Sequence, residues 1–164
     1  MLSRKRNRLK NYDYSQCGKY FITVCVKDRH NILCDIQNVG GGVPDAPVTV
    51  ILSDLGTVCE DVIKSINNNY DNVKISKYVI MPNHIHMIVD VLKCGSPRTT
   101  NPTLATVPWV VSTFKRFISK KAGFQFFQRS YHDHIIRNEQ ELNEIYNYIE
   151  YNPLNWKDDI LNTK

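Results

Sequence analysis

The sequence predicts an α+β domain: a ferredoxin-like (RRM-like) antiparallel sheet with helices packed on it. Three observations predict it. The apolar stretch "KYVIMPNHIHMIVDVL" reads as two strands folded back at Pro82-Asn83. Two segments carry apolar residues at helical spacing between strand-like runs. The resulting order, strand, helix, strand, strand, helix, strand, is that of the ferredoxin-like sheet, here with a further helix at the end.

In chain order, "KYFITVCV" (Lys19 to Val26) is rich in β-branched and aromatic residues and reads as a buried first strand. "NILCDI" and "VTVIL" are short strands around a Gly- and Pro-rich loop, 37–48. Ser53 can cap a helix to about Asn69, with Leu55, Val58, Val62, Ile63 and Ile66 as its stripe. Val73 to Met81 and His84 to Leu92 form the hairpin already named. A loop over 94–107 precedes a helix from roughly Trp109 to Lys121 with Val110, Phe114, Phe117 and Ile118 inward. Its other side carries Lys115, Arg116, Ser119 and Lys120, either a solvated band or a nucleic-acid-binding one. Ser130 to Arg137 is a last strand, and Asn138 caps a helix that runs through Tyr151 and stops at Asn152-Pro153.

With 164 residues the chain suits one domain, 1–164, large enough to bury a core. No apolar run is long enough to cross a bilayer and the first ten residues lack a secretory segment, which predicts a cytoplasmic protein with no membrane partner. Five cysteines (Cys17, Cys25, Cys34, Cys59, Cys94) form no CxxC pair and read as reduced thiols. Arg4, Lys5, Arg6, Arg8 and Lys10 supply as many positive charges as the whole excess of 21 basic over 16 acidic residues. A basic arm, 1–12, ahead of a formally neutral remainder suits a polyanion, or serves as a solubilising tail.

Strand alternation puts His84, His86, Ile88 and Asp90 on one face and Ile85, Met87, Val89 and Val91 on the other, which is the better core. Two imidazoles on one face, roughly 7 Å apart along a strand, can converge on a divalent metal or be satisfied separately as structural histidines. On the last helix, 100° per residue buries Leu142, Ile145 and Ile149, puts Tyr146 at one edge of that stripe, and sets Tyr148 and Asn152 one turn apart at the other. Tyr148 can then reach a polar site, with Asn152 offering an oxygen beside it. A tyrosine at a core boundary is the ordinary alternative. His132 and His134 share one face of the last strand, where they can contact DNA, shuttle a proton or be structural.

Four stretches, "LKNYDYSQCGKYFITVCVKDRHNIL", "YVIMPNHIHMIV", "VSTFKRFISK" and "QRSYHDHIIRNEQELNEIYNYIEYNP", occur in that order over nearly the whole chain. Together they resemble the REP-associated tyrosine transposases, a branch of the single-tyrosine HUH transposases. The resemblance implies an HUH endonuclease fold and a metal-dependent single-stranded DNA endonuclease and strand transferase acting on hairpin or palindromic repeats, as monomer or homodimer. It implies His84 and His86 as metal ligands, Asn152 as the third, Mg²⁺ or Mn²⁺ as the ion, and Tyr148 as the nucleophile of a 5′-phosphotyrosine intermediate. Arg4, Lys5, Arg6, Arg8, Lys10, Lys115, Arg116 and Lys120 are then candidate DNA contacts, and Tyr12, Tyr14 or Tyr20 can stack on bases. The alternative is a non-catalytic RRM-like nucleic-acid-binding module, although the aromatic RNP1 pattern is absent. A zinc hydrolase lacks its HExxH or HxE with PCxxC.

Overall fold

The computed structural model describes residues 16–38, 48–92 and 106–162. Along the chain its elements are β1 (Gly18–Cys25), β2 (Cys34–Asn38), β3 (Val48–Leu52), α1 (Asp54–Asn69), β4 (Val73–Met81), β5 (His84–Val91), α2 (Val107–Ala122), β6 (His132–Ile136) and α3 (Glu139–Tyr151). Single 3₁₀ turns lie at Lys27–Arg29 and Trp156–Asp158. The main sheet has the order β4-β5-β1-β6 with every neighbouring pair antiparallel, and β2-β3 form a separate hairpin. This is the predicted α+β arrangement.

The two faces of the sheet bury different things. Tyr20, Ile22 and Val24 of β1, with Ile85, Met87 and Val89 of β5, pack under α1 and α2 through Val62, Ile66, Val110 and Phe114. The opposite face carries Ile88 and Ile136 against Ile149 of α3, with Phe21, Leu142 and Ile145 around them. Alternation therefore sends the histidines of β5 toward α3. Tyr20 is completely buried on the other face, so it is a core residue and not a base-stacking one.

The helix ends follow local chemistry. Ser53 caps α1 by accepting from Gly56 N at 3.1 Å, and Asn138 caps α3 by accepting from Glu141 N at 2.8 Å. The helix expected from Trp109 starts at Val107, because Thr106 accepts from Trp109 N and Pro108 fits the first turn, where no amide donor is needed. The predicted loops shrink accordingly: Gln37, Asn38 and Val48 are strand and Val107 is helix. Residues 39–47 and 93–105 lie outside the described residues, as does the predicted basic arm with Arg4, Lys5, Arg6, Arg8, Lys10, Tyr12 and Tyr14. Cys25, Cys34 and Cys59 are buried free thiols, but Cys17 is disulfide-bonded, against the expectation of reduced cysteines; spacing along a chain does not reveal which thiols a fold brings together. Among the described residues no helix is long and apolar enough to cross a membrane.

Gly56 marks the tightest approach. A Cβ there would sit 2.0 Å from the Leu33 carbonyl oxygen, which also accepts from Ser53 N. Because the clash is with backbone, Gly56→Ala is expected to lower stability by about 3 kcal/mol, at the high end for an overpacked site. Gly123, left-handed at φ 81° with open space around it, should cost only about 1 kcal/mol as Gly123→Ala. Urea denaturation of the two variants side by side checks the difference.

Candidate metal and nucleophile site

The site begins at the two-residue turn between β4 and β5. Pro82 O accepts from both Ile32 N and Leu33 N at 2.9 and 3.0 Å, and Asn83 O accepts from Val26 N at 2.8 Å. Held from both sides, the turn fixes the entry of β5. The Asn83 amide is oriented by its NH₂, which donates to Arg29 O at 3.3 Å and Leu161 O at 2.9 Å. Its oxygen must then face His84 Nδ1, 2.8 Å away. An amide oxygen only accepts, so Nδ1 carries the proton and His84 Nε2 presents a lone pair. Sequence patterning treated Asn83 as a turn residue alone; its role depends on a partner 78 residues onward in the chain.

His84 Nε2 and His86 Nε2 approach to 3.1 Å, and both rings are buried. Thr23, directly across on β1, holds His86 Nδ1 at 2.8 Å, while Phe21 stacks on the His86 ring with centroids 5.1 Å apart. Thr23 and Phe21 were missed because the strand reads as uniformly apolar. The signal was their alternation with Tyr20, Ile22 and Val24. The far end of this face is closed by Asp90, bound to Lys19 at 2.8 Å and to Ser76 at 3.2 Å, so Asp90 is occupied structurally.

The last helix adds the remaining groups. Tyr148 Oη lies 3.3 Å from His86 Nε2, its ring edge-on to Phe21 at 6.0 Å. Asn152, one turn on, is buried, and its Oδ1 has no hydrogen-bond partner. Tyr146 instead packs on the β4 side, with its hydroxyl 3.5 Å from Ser76 O, and Tyr151 is exposed. The predicted quartet of His84, His86, Tyr148 and Asn152 thus meets in one place. A residue not foreseen joins it: Asp159, whose Oδ2 lies 3.9 Å from His84 Nε2 and also lacks a partner. The His84, His86 and Asp159 ligand atoms all lie within 4.8 Å of one another.

Orphaned buried oxygens beside the His84 Nε2 lone pair suit a divalent cation, which satisfies acceptors that no donor among the described residues reaches. Burial pushes the His84 pKa down to about 3, with the Arg29 charge adding to the effect. Burial and then His84 lower His86 to about 3, opposed by Asp159. The Tyr148 phenol is raised by burial and by the Asp159 charge, against a hydrogen bond from Asn152 that lowers it.

The linkage has a definite sign. Unfolded histidines titrate near 6.5, whereas the folded ones stay neutral to about 3, so the unfolded chain binds more protons throughout that window. Stability contributed by the pair is full above pH 6.5 and is lost as the pH falls toward 3. With chelator present, the urea midpoint should fall steadily from pH 6.5 to 4, and His86→Gln should reduce that slope.

The other candidate contacts lie elsewhere. Lys115, Arg116 and Lys120 sit on α2, across the sheet from the imidazoles. Lys115 donates to the carbonyls of Gln128, Arg129 and Ser130, and burial lowers its pKa to about 8; Arg116 and Lys120 are exposed. His132 and His134 are exposed on edge strand β6, with His134 paired to Glu141.

The family model described as "Transposase IS200 like" matches residues 43–152, which include His84, His86, Tyr148 and Asn152 but not Asp159. A protein of Haemophilus influenzae described only as uncharacterized is 34% identical over 175 residues, covering 96% of this chain and 92% of its own. A REP-associated tyrosine transposase, solved bound to a REP hairpin, superposes with a TM-score of 0.62 at 18% identity over 91% of this chain and 74% of its own. At that identity the likeness is one of fold.

Proposed function

Because the chain belongs to the IS200-like transposase family, we propose that it is a metal-dependent single-stranded DNA endonuclease and strand transferase that cuts hairpin-bearing DNA through Tyr148. The observation that carries this reading is the 3.3 Å approach of the Tyr148 hydroxyl to His86 Nε2, beside His84 and the unpartnered Asn152 oxygen. A phenol set among neutral imidazoles and an orphaned amide oxygen supports this chemistry.

Tyr148 Oη attacks the phosphorus of one linkage, the bond from phosphorus to the 3′ oxygen breaks, and a 5′-phosphotyrosine remains. The phenolic proton is lost and the departing 3′ oxygen gains one, so the step balances without a nucleotide cofactor. A later 3′-hydroxyl reverses it and joins strands. His84, His86 and Asn152 would hold Mg²⁺ or Mn²⁺, which when bound supplies charge stabilisation to the phosphate oxygens. Phe21 and His86 orient the phenol, and Tyr148 reaches the histidines of its own chain, which supports action as a monomer. Arg4, Lys5, Arg6, Arg8 and Lys10, with Arg116 and Lys120, serve as backbone contacts, and the hairpin is the partner with which the structural relative was solved. Lys115 contributes by pinning residues 128–130 beneath that band.

The test incubates the purified chain with a labelled single-stranded hairpin and Mn²⁺ or Mg²⁺, then resolves it on a denaturing gel. A covalent adduct that chelator prevents is the expected result. Binding without adduct in either metal would support the non-catalytic nucleic-acid-binding module instead.

A further inference from the structure

We infer that Asp159 is a ligand of the same divalent ion, so that the segment following α3 completes the metal centre with a negative charge. The inference rests on the metal-centre reading above and goes beyond the family-shared region, which ends at residue 152.

Donors at adjacent corners of an octahedral shell about 2.1 Å from an ion sit about 3.0 Å apart, and opposite ones about 4.2 Å apart. His84 Nε2 stands 3.1 Å from His86 Nε2 and 3.9 Å from Asp159 Oδ2, between those limits. His84 Nε2 is a lone pair by the tautomer that Asn83 imposes, and Asp159 Oδ2 points at it from a side chain only 4% exposed. Asn152, whose Oδ1 is unpartnered as well, lines a cavity of about 230 Å³ together with Asp159 and Tyr148. No donor among the described residues reaches either oxygen, and a cation between them and the His84 lone pair would satisfy both.

Asp159 is also held in place by its own hydrogen bonds. Asp159 Oδ1 accepts from Leu161 N at 2.6 Å, Leu161 O accepts from Asn83 at 2.9 Å, and Asn83 Oδ1 holds His84 Nδ1. One chain of hydrogen bonds therefore positions both Asp159 and the imidazole it faces. Trp156 packs against His84, its centroid 6.0 Å away, and fixes the segment from the other side. His84, His86 and Asn152 are all neutral donors. A carboxylate makes the set anionic and shifts it toward hard ions such as Mn²⁺ and Mg²⁺. A competing cation is Arg29, whose charge acts on His84 and whose Nη1 is also unpartnered, yet it forms no ion pair with Asp159 among the described residues.

Mn²⁺ alone is the probe. Titration of the full chain, with free Mn²⁺ followed by electron paramagnetic resonance, should give at least tenfold weaker binding for Asp159→Asn and no change for Asp71→Asn, an exposed control. Metal-free Asp159→Asn should melt no lower than wild type, since it removes an unpartnered buried charge and keeps an oxygen for Leu161 N. A lower melting point reproduced by Arg29→Ala would assign Asp159 to Arg29 and overturn the inference. Asp159→Cys, which offers a soft thiolate, should raise the preference for Cd²⁺ over Mn²⁺; an unchanged preference counts against ligation even if the Asn variant folds poorly. Wild-type Mn²⁺ affinity in Asp159→Asn, alongside loss of binding in His86→Ala, would sink Asp159 and leave the metal centre standing. No Mn²⁺ binding by the wild-type chain would remove both.

Discussion

Tyr148→Phe should abolish covalent capture of hairpin DNA, reducing adduct formation by at least ~10³-fold, as loss of a nucleophile typically does. The substitution removes one oxygen from a side chain that is 45% exposed. The ring keeps its edge contact with Phe21 and its packing on His86, so folding and DNA affinity should be nearly unchanged. Neighbouring phenols cannot take over. Tyr146 faces Ser76 O and lies under the Lys77 ammonium, and Tyr151 is exposed on the outer side of the helix. Gel quantitation of adduct in the three Phe variants should show loss for Tyr148 alone. Because burial and Asp159 raise the Tyr148 pKa, the free phenol is protonated at neutral pH, and its reactivity depends on its neighbours.

His86→Ala is expected to have the second large effect, on the ion. His86 is the hub of the site: Thr23 holds one ring nitrogen, while His84 and Tyr148 meet at the other. A bound ion stabilises the native state by about 2.7 kcal/mol at a hundredfold excess over its dissociation constant. For a chain of this size that raises the melting temperature by roughly 5–10 °C. Wild-type protein should show this rise on adding Mn²⁺, and His86→Ala should show none even in millimolar Mn²⁺. A thermal melt with and without the metal reads the effect independently of any DNA chemistry.

How much of this was legible in the sequence depends on where each signal lies. Strands and helices that carry their own periodicity were readable: β3, α1, β4 and α3 fall on the expected residues, because alternation, caps and the Pro82-Asn83 turn are local. The same alternation placed His84 and His86 opposite the main core, and helical arithmetic singled out Tyr148 and Asn152. What stayed hidden depends on partners distant in sequence. Phe21 and Thr23 look like ordinary strand residues until β5 is laid beside them. Asn83 looks like a turn residue until Leu161 returns to it, and Asp159 sits in "NWKDDIL", which has no period to announce a direction. The start of α2 was obscured for a different reason: "TVP" reads as loop, although Thr and Pro also open helices.

The central claim is that the Tyr148 oxygen becomes bonded to DNA phosphorus. It is tested most directly by trapping the adduct on a hairpin oligonucleotide, digesting both components, and locating the nucleotide by tandem mass spectrometry. The account predicts a 5′-phosphonucleotide on Tyr148. The same mass on Tyr146, Tyr151 or any other side chain, or cleavage that leaves every peptide unmodified, would contradict it.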